Sequence, residues 1–379
     1  MEQARERPLT GRDVVTDAEF VRLRAELAPD DADLWLQVPW HLSLTRALRA
    51  AVQENKLLAV VVRSGHPLGA VCNNGLVDRA SVTEDPEIAS LLATRFIPVA
   101  IDQHIHRRLD NAEGRLFADL TKRAGRFIDV TTQGVYVFTS GGEPLAFRST
   151  QDPQSLKAML ASALEKNDSN RAGSGTVDLD ADGEFALKAP AEVVVLDVIS
   201  KVLGGYGEPS NYRERILQSA LGRDRCWIRQ DEVASLSENI VPDSLLNRMT
   251  RFHLVDNTRG EPPMWRPDQV HTAEATLRDG RLVGSVRIET ARGRRGFDAS
   301  LLGQVDVADG VLTRFDVVAR GLAWGRGYFN SGAPSGKYPL AVRFASAEGA
   351  RPFDAVPPGA ARTRPNEYLG YPADSELGK

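Results

Sequence analysis

Three runs of sequence decide the fold: LLAVVV at 57–62, SGHPLGAVCNNG at 64–75 and FIPVAID at 96–102. The first and third are short, apolar and rich in β-branched residues, which is typical of buried strands. Between them, a Gly- and Asn-rich loop leads into apolar residues at helical spacing. This order predicts a strand, a crossover helix and a second, parallel strand. The loops after the two strands then meet at one edge of the sheet, where open α/β sheets place their ligands.

The flanking segments extend this unit into an α/β domain over residues 35–166. An apolar stripe between 35 and 55 predicts a helix before the first strand. Two runs, TQGVYVFTS at 132–140 and EPLAFR at 143–148, predict a hairpin that turns at Gly141-Gly142. A further helix is predicted over 153–165, where leucines recur on one face.

The stretch WHLSLTRALRAAVQENKLLAVVV (40–62), the Cys loop and EDPEIASLLATRFIPVAID (84–102) resemble thioredoxin-like proteins with a long, insertion-tolerant Cys loop. The resemblance covers about 35–166 and implies a thioredoxin-like fold with Cys72 at the position of the nucleophile. The active-site pattern is degenerate, because C-N-N-G places Gly75 where a second thiol would stand. Thr131-Thr132-Gln133 also replaces the Pro that thioredoxins carry before the hairpin. Both departures argue against a dithiol oxidoreductase.

Cys and His residues follow both predicted strands, so a metal site is one hypothesis. His104 and His106, taken as lying on one side of an extended segment, and the Cys72 thiolate would bind copper, with zinc or iron as alternatives. His66 is a possible additional ligand, and Asp102 could orient a ligating ring. The alternative is that HIHRR forms an exposed basic turn and that Cys72 is a small packing residue.

Composition narrows the classes of function. The chain has 379 residues, 42% hydrophobic and 26% charged, with a net charge of -4, and a pI near 6.0. These values are typical of a soluble globular protein and give no electrostatic indication of nucleic-acid binding. We find no apolar run long enough for a membrane span and no secretory signal at the start of the sequence. Two cysteines are too few for a disulfide framework, so the expected location is the cytoplasm.

Composition also predicts the domain organisation. Residues 1–34 are expected to form an N-terminal arm with a short helix, and the Asp-, Ser- and Gly-rich stretch 167–189 a linker. Residues 190–347 contain alternating segments joined by turns such as DG and ADG, which predict a mainly antiparallel β domain, closed as a barrel or folded as a sandwich. Residues 348–379 are expected to be an irregular tail.

The second half is similar to an uncharacterised bacterial family through RDRCW (223–227), RFHLVDNTRGEPPMW (251–265) and RFDVVARG (314–321). Within the second run, five residues could form a pocket wall with an apolar lid: His253, Asp256, Arg259, Glu261 and Trp265. The alternative is a long turn held by Arg–carboxylate pairs and fixed by its two prolines. The Gly-rich stretch 325–336 lacks phosphate-loop spacing, so no nucleotide cofactor is expected.

These features lead to two main functional hypotheses. The first is a copper-dependent oxidoreductase with Cys72 as the catalytic residue and a small-molecule or peptide substrate in a cleft towards the β domain. The second is a non-catalytic thioredoxin-like scaffold or chaperone that binds a protein partner. A third possibility is a single-Cys thiol enzyme that forms mixed disulfides. The hypotheses involve neither nucleic acid nor membrane, and the sequence assigns no role to Cys226.

Overall fold

The computed structural model describes residues 14–28, 33–149, 152–169, 187, 189–190, 192–327, 332–347 and 352–371. The chain divides into two compact units, each assembled from separate segments. The α/β unit consists of Asp30–Ala189 and Ala350–Thr363, and the β unit of Met1–Pro29, Pro190–Gly349 and Arg364–Lys379. Most of the predicted linker at 167–189 lies outside the described residues. Each unit therefore combines a central segment with a segment from beyond residue 349, and the β unit also includes the first segment of the chain.

The helices in chain order are α1 (Asp17–Glu26), α2 (Leu34–Gln37), α3 (Leu44–Glu54), α4 (Asn73–Glu84), α5 (Pro86–Arg95), α6 (Gln103–His106), α7 (Ala112–Arg123), α8 (Pro153–Ser169), α9 (Tyr212–Ser219), α10 (Gln230–Ser237), α11 (Asp243–Arg248) and α12 (Pro365–Leu369). The strands are β1 (Leu57–Arg63), β2 (Phe96–Asp102), β3 (Gly134–Phe138), β4 (Pro144–Arg148), β5 (Val193–Val202), β6 (Gly222–Arg229), β7 (Val270–Arg278), β8 (Arg281–Glu289), β9 (Gly296–Ala308), β10 (Val311–Trp324) and β11 (Lys337–Ser346). A π-helical turn spans Met249–His253, and 3₁₀ turns span Pro267–Gln269 and Pro352–Ala355. Among the described residues, none of these helices combines the length and apolar character that crossing a bilayer requires.

The sheet of the α/β unit has the order β2-β1-β3-β4. Strands β1 and β2 are parallel, with Leu57 opposite Phe96 and Arg63 opposite Asp102. Strand β3 runs antiparallel to β1, and the hairpin brings β4 antiparallel to β3. The predicted strand–helix–strand unit and the hairpin are therefore both present. A single-residue bridge from His41 to Val99 adds a further contact at the β2 edge.

Every residue of β1 and β2 is buried, which explains why their sequences are continuously apolar rather than alternating. Leu57, Ala59 and Val61 face one core and Leu58, Val60 and Val62 face another. Helices cover both faces, because α8 contributes to the first core and α3 and α7 contribute to the second. Because helices cover both faces of the sheet, the apolar side chains of β1 and β2 are removed from water on both sides, and this burial stabilises the sheet.

In the β unit, one antiparallel sheet has the order β6-β5-β11-β10-β9-β8-β7. The prediction of an antiparallel β domain is confirmed, but the predicted barrel or sandwich is wrong. All seven strands belong to this one sheet, and within the described chain it is not closed: β6 and β7 are its edges. The hairpins β7–β8 and β9–β10 turn at Asp279-Gly280 and Asp309-Gly310, whose positive φ values suit a tight turn.

The segment predicted as a loose N-terminal arm packs on this sheet. Helix α1 begins at the Thr16 capping box, and its Phe20 and Leu23 side chains are buried. They join a core with Ile199 and Val318 from the sheet. The predicted irregular tail also contains structure, since α12 buries its last residues, Tyr368 and Leu369. The arm and part of the tail are thus elements of the β unit.

Candidate functional site

The carboxyl ends of β1 and β2 bring the Cys loop and the His segment to one edge of the α/β sheet. Ser64 directly follows β1 and contacts both segments. Its carbonyl oxygen accepts a 2.8 Å hydrogen bond from the Cys72 amide. Its hydroxyl lies 2.7 Å from Nε2 of His104. Parallel pairing therefore places Cys72 and His104 on either side of the same residue.

Cys72 is the N-cap residue of the twelve-residue helix α4, and its side chain is half-buried. Its Sγ donates to Oε1 of Gln133, 3.1 Å away, just before β3 begins. The partial positive charge at a helix N-terminus favours the thiolate form of a cysteine. The thiol thus lies at the sheet edge where the segments that follow β1 and β2 and the segment that precedes β3 meet.

Arg63, the last residue of β1, places a buried cation beside this edge. Its Nε lies 2.5 Å from Oδ2 of Asp78. Burial by itself lowers the pKa of Arg63, but Asp78 and, more weakly, Cys72 raise it above its usual value. Arg63 and the Cys72 thiol are therefore close enough to interact electrostatically.

Gly75 occupies the position of the second thiol in a Cys-x-x-Cys motif, and packing explains why a larger residue is excluded. A Cβ added there would lie 2.3 Å from Cγ2 of Val71, a side chain that is itself buried. Such a contact requires the neighbour to move. The close approach of Val71 to α4 therefore leaves no room for a second cysteine unless the loop repacks.

His104 and His106 lie on a helical turn, so the extended segment predicted for them is wrong. Helix α6 is capped by Asp102, whose Oδ1 accepts a 2.8 Å hydrogen bond from the His104 amide. Residues two apart on a helix point about 200° away from each other. While His104 contacts Ser64, Nε2 of His106 lies 3.3 Å from Oε1 of Glu113. The two rings thus have different partners.

The two supporting residues of the metal hypothesis also have structural contacts. Nδ1 of the buried His66 accepts a 3.1 Å hydrogen bond from the Leu68 amide within the loop. Oδ2 of Asp102 lies 3.4 Å from Nη1 of Arg362. Across the described part of the chain, no group of three or more His, Cys, Asp or Glu side chains is arranged to hold a metal ion. Copper binding by Cys72, His104 and His106 stays a prediction.

Glu113, which the sequence did not single out, organises the interior behind this edge. Its carboxylate is fully buried at the N-terminus of α3. It accepts hydrogen bonds from the backbone N–H groups of Leu44 and Thr45 and from the Ser43 and Thr45 hydroxyls. Burial by itself raises the pKa of Glu113, but His106 and the amides of Thr45 and Leu44 lower it below its usual value. One carboxylate therefore joins α3, α6 and α7.

An exposed apolar stretch lies next in sequence to Gln133. Phe127, Ile128 and Val130 are 55%, 39% and 55% exposed, while most apolar side chains of this unit are buried. The stretch is anchored beyond them, since the Thr132 amide donates to Oε1 of Gln103 over 3.0 Å. These three side chains are thus exposed apolar groups close together in sequence.

In the β unit, the His253 side chain is fully buried. Its Nε2 lies 2.6 Å from the Tyr368 hydroxyl, and its Nδ1 lies 3.2 Å from Oδ2 of Asp224. Burial by itself lowers the pKa of His253, but Cys226 and Asp224 raise it to about 9. Cys226 has no exposed surface. These neighbours therefore favour the cationic form of His253.

This pKa gives a testable pH dependence. Since the pKa of His253 is about 9 in the folded state and about 6.5 when unfolded, its contribution is complete below pH 6.5. We expect about 3 kcal/mol of unfolding free energy to be lost as the pH rises through 9. Urea unfolding at pH 6 and pH 9.5 measures this loss. His253→Phe should reduce the dependence, whereas His271→Gln, at an exposed position, should leave it unchanged. An unaltered alkaline loss in His253→Phe would contradict the assignment.

The other predicted pocket residues have different environments. Asp256 and Arg259 make an ion pair, as the long-turn alternative proposed. Trp265 is buried, and its Nε1 donates to the Leu254 carbonyl over 2.8 Å. Glu261 is half-buried. His253 and Asp256, only three residues apart, thus belong to different polar clusters.

No protein-family model, curated protein or solved structure matches this chain.

Proposed function

We propose that the α/β unit is a thioredoxin-like domain whose single thiol, Cys72, forms mixed disulfides with a protein or peptide partner. The strand order β2-β1-β3-β4, with a parallel β1–β2 pair and a final hairpin, supports the proposed fold. It agrees with the resemblance of residues 35–166 to thioredoxin-like proteins. Within that fold, Cys72 follows the central strand β1 and begins a helix.

The observation that carries the proposal is the environment of the Cys72 sulfur. The thiol is half-buried, lies at the N-terminus of α4 and contacts Gln133 at 3.1 Å. Arg63, which is paired with Asp78, interacts electrostatically with the Cys72 sulfur. Helix N-termini and cations favour the thiolate, which is the form that attacks a disulfide. Cys226, in contrast, is fully buried, so the two thiols should differ strongly in reactivity.

The reaction is a thiol–disulfide exchange. The Cys72 thiolate attacks one sulfur of the partner's disulfide, and a new S–S bond forms as the partner's bond breaks. The other partner sulfur leaves as a thiolate and takes up a proton from solvent. Because Gly75 provides no second thiol, a low-molecular-weight thiol or a thiol of the partner must release Cys72 by the reverse exchange.

The exposed apolar stretch supports a protein or peptide partner rather than a small disulfide. Phe127 and Ile128 lie a few residues before Gln133, whose side chain contacts the thiol. We propose that a partner chain that reacts with Cys72 contacts Gln133 and also buries these side chains as it binds. Binding would then stabilise the complex in which the sulfurs meet.

The copper-dependent oxidoreductase is the second candidate, and the convergence at Ser64 favours it. Cys72 and His104 both contact this residue, so a thiolate and an imidazole lie at one sheet edge. Mixed thiolate and imidazole ligands suit copper, with zinc or iron as alternatives. In this proposal His104 would exchange its Ser64 contact for the metal.

Thiol labelling separates the candidates. We expect 5,5′-dithiobis(2-nitrobenzoate) to react rapidly with one thiol of the native protein, with the same rate after chelator treatment, and Cys72→Ser to abolish this reaction. Labelling that becomes rapid only after chelation, together with copper found by elemental analysis, would instead support the metal site. A Cys72 thiol that reacts as slowly as buried Cys226 in both samples would overturn both and favour the non-catalytic scaffold.

A double variant and a matched control test whether the exposed apolar stretch at Phe127 and Ile128 binds the partner. Phe127→Ser/Ile128→Ser should slow mixed-disulfide formation with a peptide disulfide several-fold and leave the reaction with glutathione disulfide unchanged. Val52→Ser is the matched control, since Val52 is 59% exposed on α3 of the same unit. Equal peptide rates in the two proteins would show that the stretch does not bind the partner.

A further inference from the structure

The loops of the β-unit sheet are unequal at its two ends. The short Asp279-Gly280 and Asp309-Gly310 turns lie at one end. At the other end, residues 290–295 join β8 to β9, and residues 203–221 join β5 to β6. Strand β11 begins at this same end, because Leu340 lies opposite both Gly321 and Val202. Antiparallel pairing therefore places the β5–β6 loop, the β8–β9 loop and the start of β11 at one end of the sheet.

Arg259 lies in the interior at this end. Its side chain is 2% exposed and contacts the Tyr206 hydroxyl and the Asp256 carboxylate. Its Nε is buried and has no hydrogen-bond partner among the described residues. A buried guanidinium nitrogen without an acceptor is costly, because its desolvation is not offset. One buried donor of Arg259 is therefore unsatisfied within the described part of the chain.

Arg295 supplies a second guanidinium from the loop between β8 and β9. Its guanidinium carbon lies 3.9 Å from the ring centroid of Trp265. The loop is held firmly, since Thr290 accepts from the Arg295 amide over 3.1 Å and its own amide donates to the Arg295 carbonyl over 2.9 Å. Nε1 of Trp324 donates to the Gly293 carbonyl over 3.0 Å. Arg295 is therefore presented by a rigid loop and is half-buried.

Arg259 and Arg295 both interact with the buried carboxylate of Asp256. Asp256 is the carboxylate that contacts Arg259 and acts electrostatically on Arg295. Burial lowers the pKa of each arginine to about 10 and raises that of Asp256 above its usual value. The Tyr338 hydroxyl donates to Asp256 over 3.1 Å and adds no negative charge at neutral pH. Among the described residues, Arg259 and Arg295 both interact with the Asp256 carboxylate, and Arg326 adds a further positive charge near Arg259. An additional anion would offset the desolvation cost of these cations.

We propose that this end of the β sheet binds the oxyanion group of a small ligand, a carboxylate or a phosphate, between Arg259 and Arg295. A planar guanidinium donates two parallel hydrogen bonds to either group, which makes arginine well suited to both. The Tyr206 hydroxyl, already in contact with Arg259, is a further polar group beside the bound anion. The site is independent of the Cys72 proposal, because all its residues belong to the β unit.

Isothermal titration calorimetry and thermal unfolding of the full-length protein test the proposal with inorganic phosphate and acetate, against chloride at equal ionic strength. We expect phosphate or acetate to raise Tm above the chloride value, and the more strongly bound anion identifies the ligand group. Arg295→Gln should weaken that affinity roughly tenfold or more, since a hydrogen bond to a charged group is lost. Arg292→Gln, an exposed arginine of the same loop, should keep the wild-type affinity.

Two results would overturn the proposal. One is that neither oxyanion stabilises the protein more than chloride does at equal ionic strength. The other is that Arg292→Gln and Arg295→Gln lose affinity equally, because this indicates a diffuse effect of the net charge of the loop. Arg259→Lys provides a second variant that keeps the positive charge. It should also bind phosphate or acetate more weakly, because an ammonium group cannot donate in the guanidinium geometry.

Discussion

Glu113→Ala should lower the free energy of unfolding by about 3–5 kcal/mol, the cost typical of breaking a buried, hydrogen-bonded ionic group. The Glu113 carboxylate is fully buried and accepts from two backbone amides and two hydroxyls at the start of α3. Its removal leaves these donors without an acceptor, and Nε2 of His106 loses its contact at 3.3 Å. Urea unfolding at neutral pH measures the change.

The depressed pKa of Glu113 adds a pH signature in the acid range. A group whose pKa is lower in the folded state contributes stability that is present above its unfolded pKa and is lost as the pH falls through its folded pKa. Glu113→Gln should therefore flatten the acid limb of the stability profile. Glu143→Ala, which removes an exposed partner of Arg123, should cost less than about 1 kcal/mol. A Glu113→Ala protein as stable as Glu143→Ala would show that the network contributes little.

Arg248→Met is the second change with a large expected effect, again about 3–5 kcal/mol. The Arg248 guanidinium is buried and forms a bidentate pair with Glu232, with N–O distances of 2.7 and 2.9 Å. It also donates to the carbonyls of Trp227 and Tyr368 over 3.0 and 3.1 Å. The substitution preserves apolar volume but removes the bidentate cation from the 1% exposed Glu232 side chain, which keeps only the longer 3.7 Å contact with Arg229.

A double variant distinguishes the cost of an unpaired charge from the net value of the pair. Arg248→Met/Glu232→Met should recover much of the stability lost in Arg248→Met, because neither charge is then buried alone. Arg266→Met is the matched control, since Arg266 and Asp268 form an exposed pair. If the double variant is no more stable than Arg248→Met, the lost carbonyl contacts, rather than the unpaired carboxylate, account for the effect.

Local patterns in the sequence were sufficient to predict the α/β sheet. The β1 and β2 sequences are apolar because both faces of the sheet are covered, and the Gly-Gly turn gives the hairpin. The same patterns did not show whether QHIH at 103–106 continues the strand β2 or forms a helical turn. Only Asp102, a residue type favoured at helix N-caps, indicated that α6 begins there.

Long-range polar contacts left no comparable signal. Ser43 and Glu113 are 70 positions apart, and Arg248 and Tyr368 are 120 apart. A single sequence does not show which arginine meets which carboxylate, so both networks were missed. Whether the β sheet closes depends on whether its edge strands β6 and β7 pair with each other. The alternation of apolar and polar residues along a strand does not show which strand lies beside it. The alternating pattern therefore predicts the presence of antiparallel strands but not whether their sheet closes.

Because each unit is assembled from separate chain segments, the order of synthesis limits when each unit can fold. The β unit needs α1 from the start of the described chain and α12 from its end, while the α/β unit is encoded between them. Neither unit can complete its contacts until residues beyond 350 have left the ribosome, because each includes a segment from that region. Helix α1 must therefore remain without its sheet partners while most of the chain is translated. The long loop closures involved are expected to make folding slow and largely post-translational.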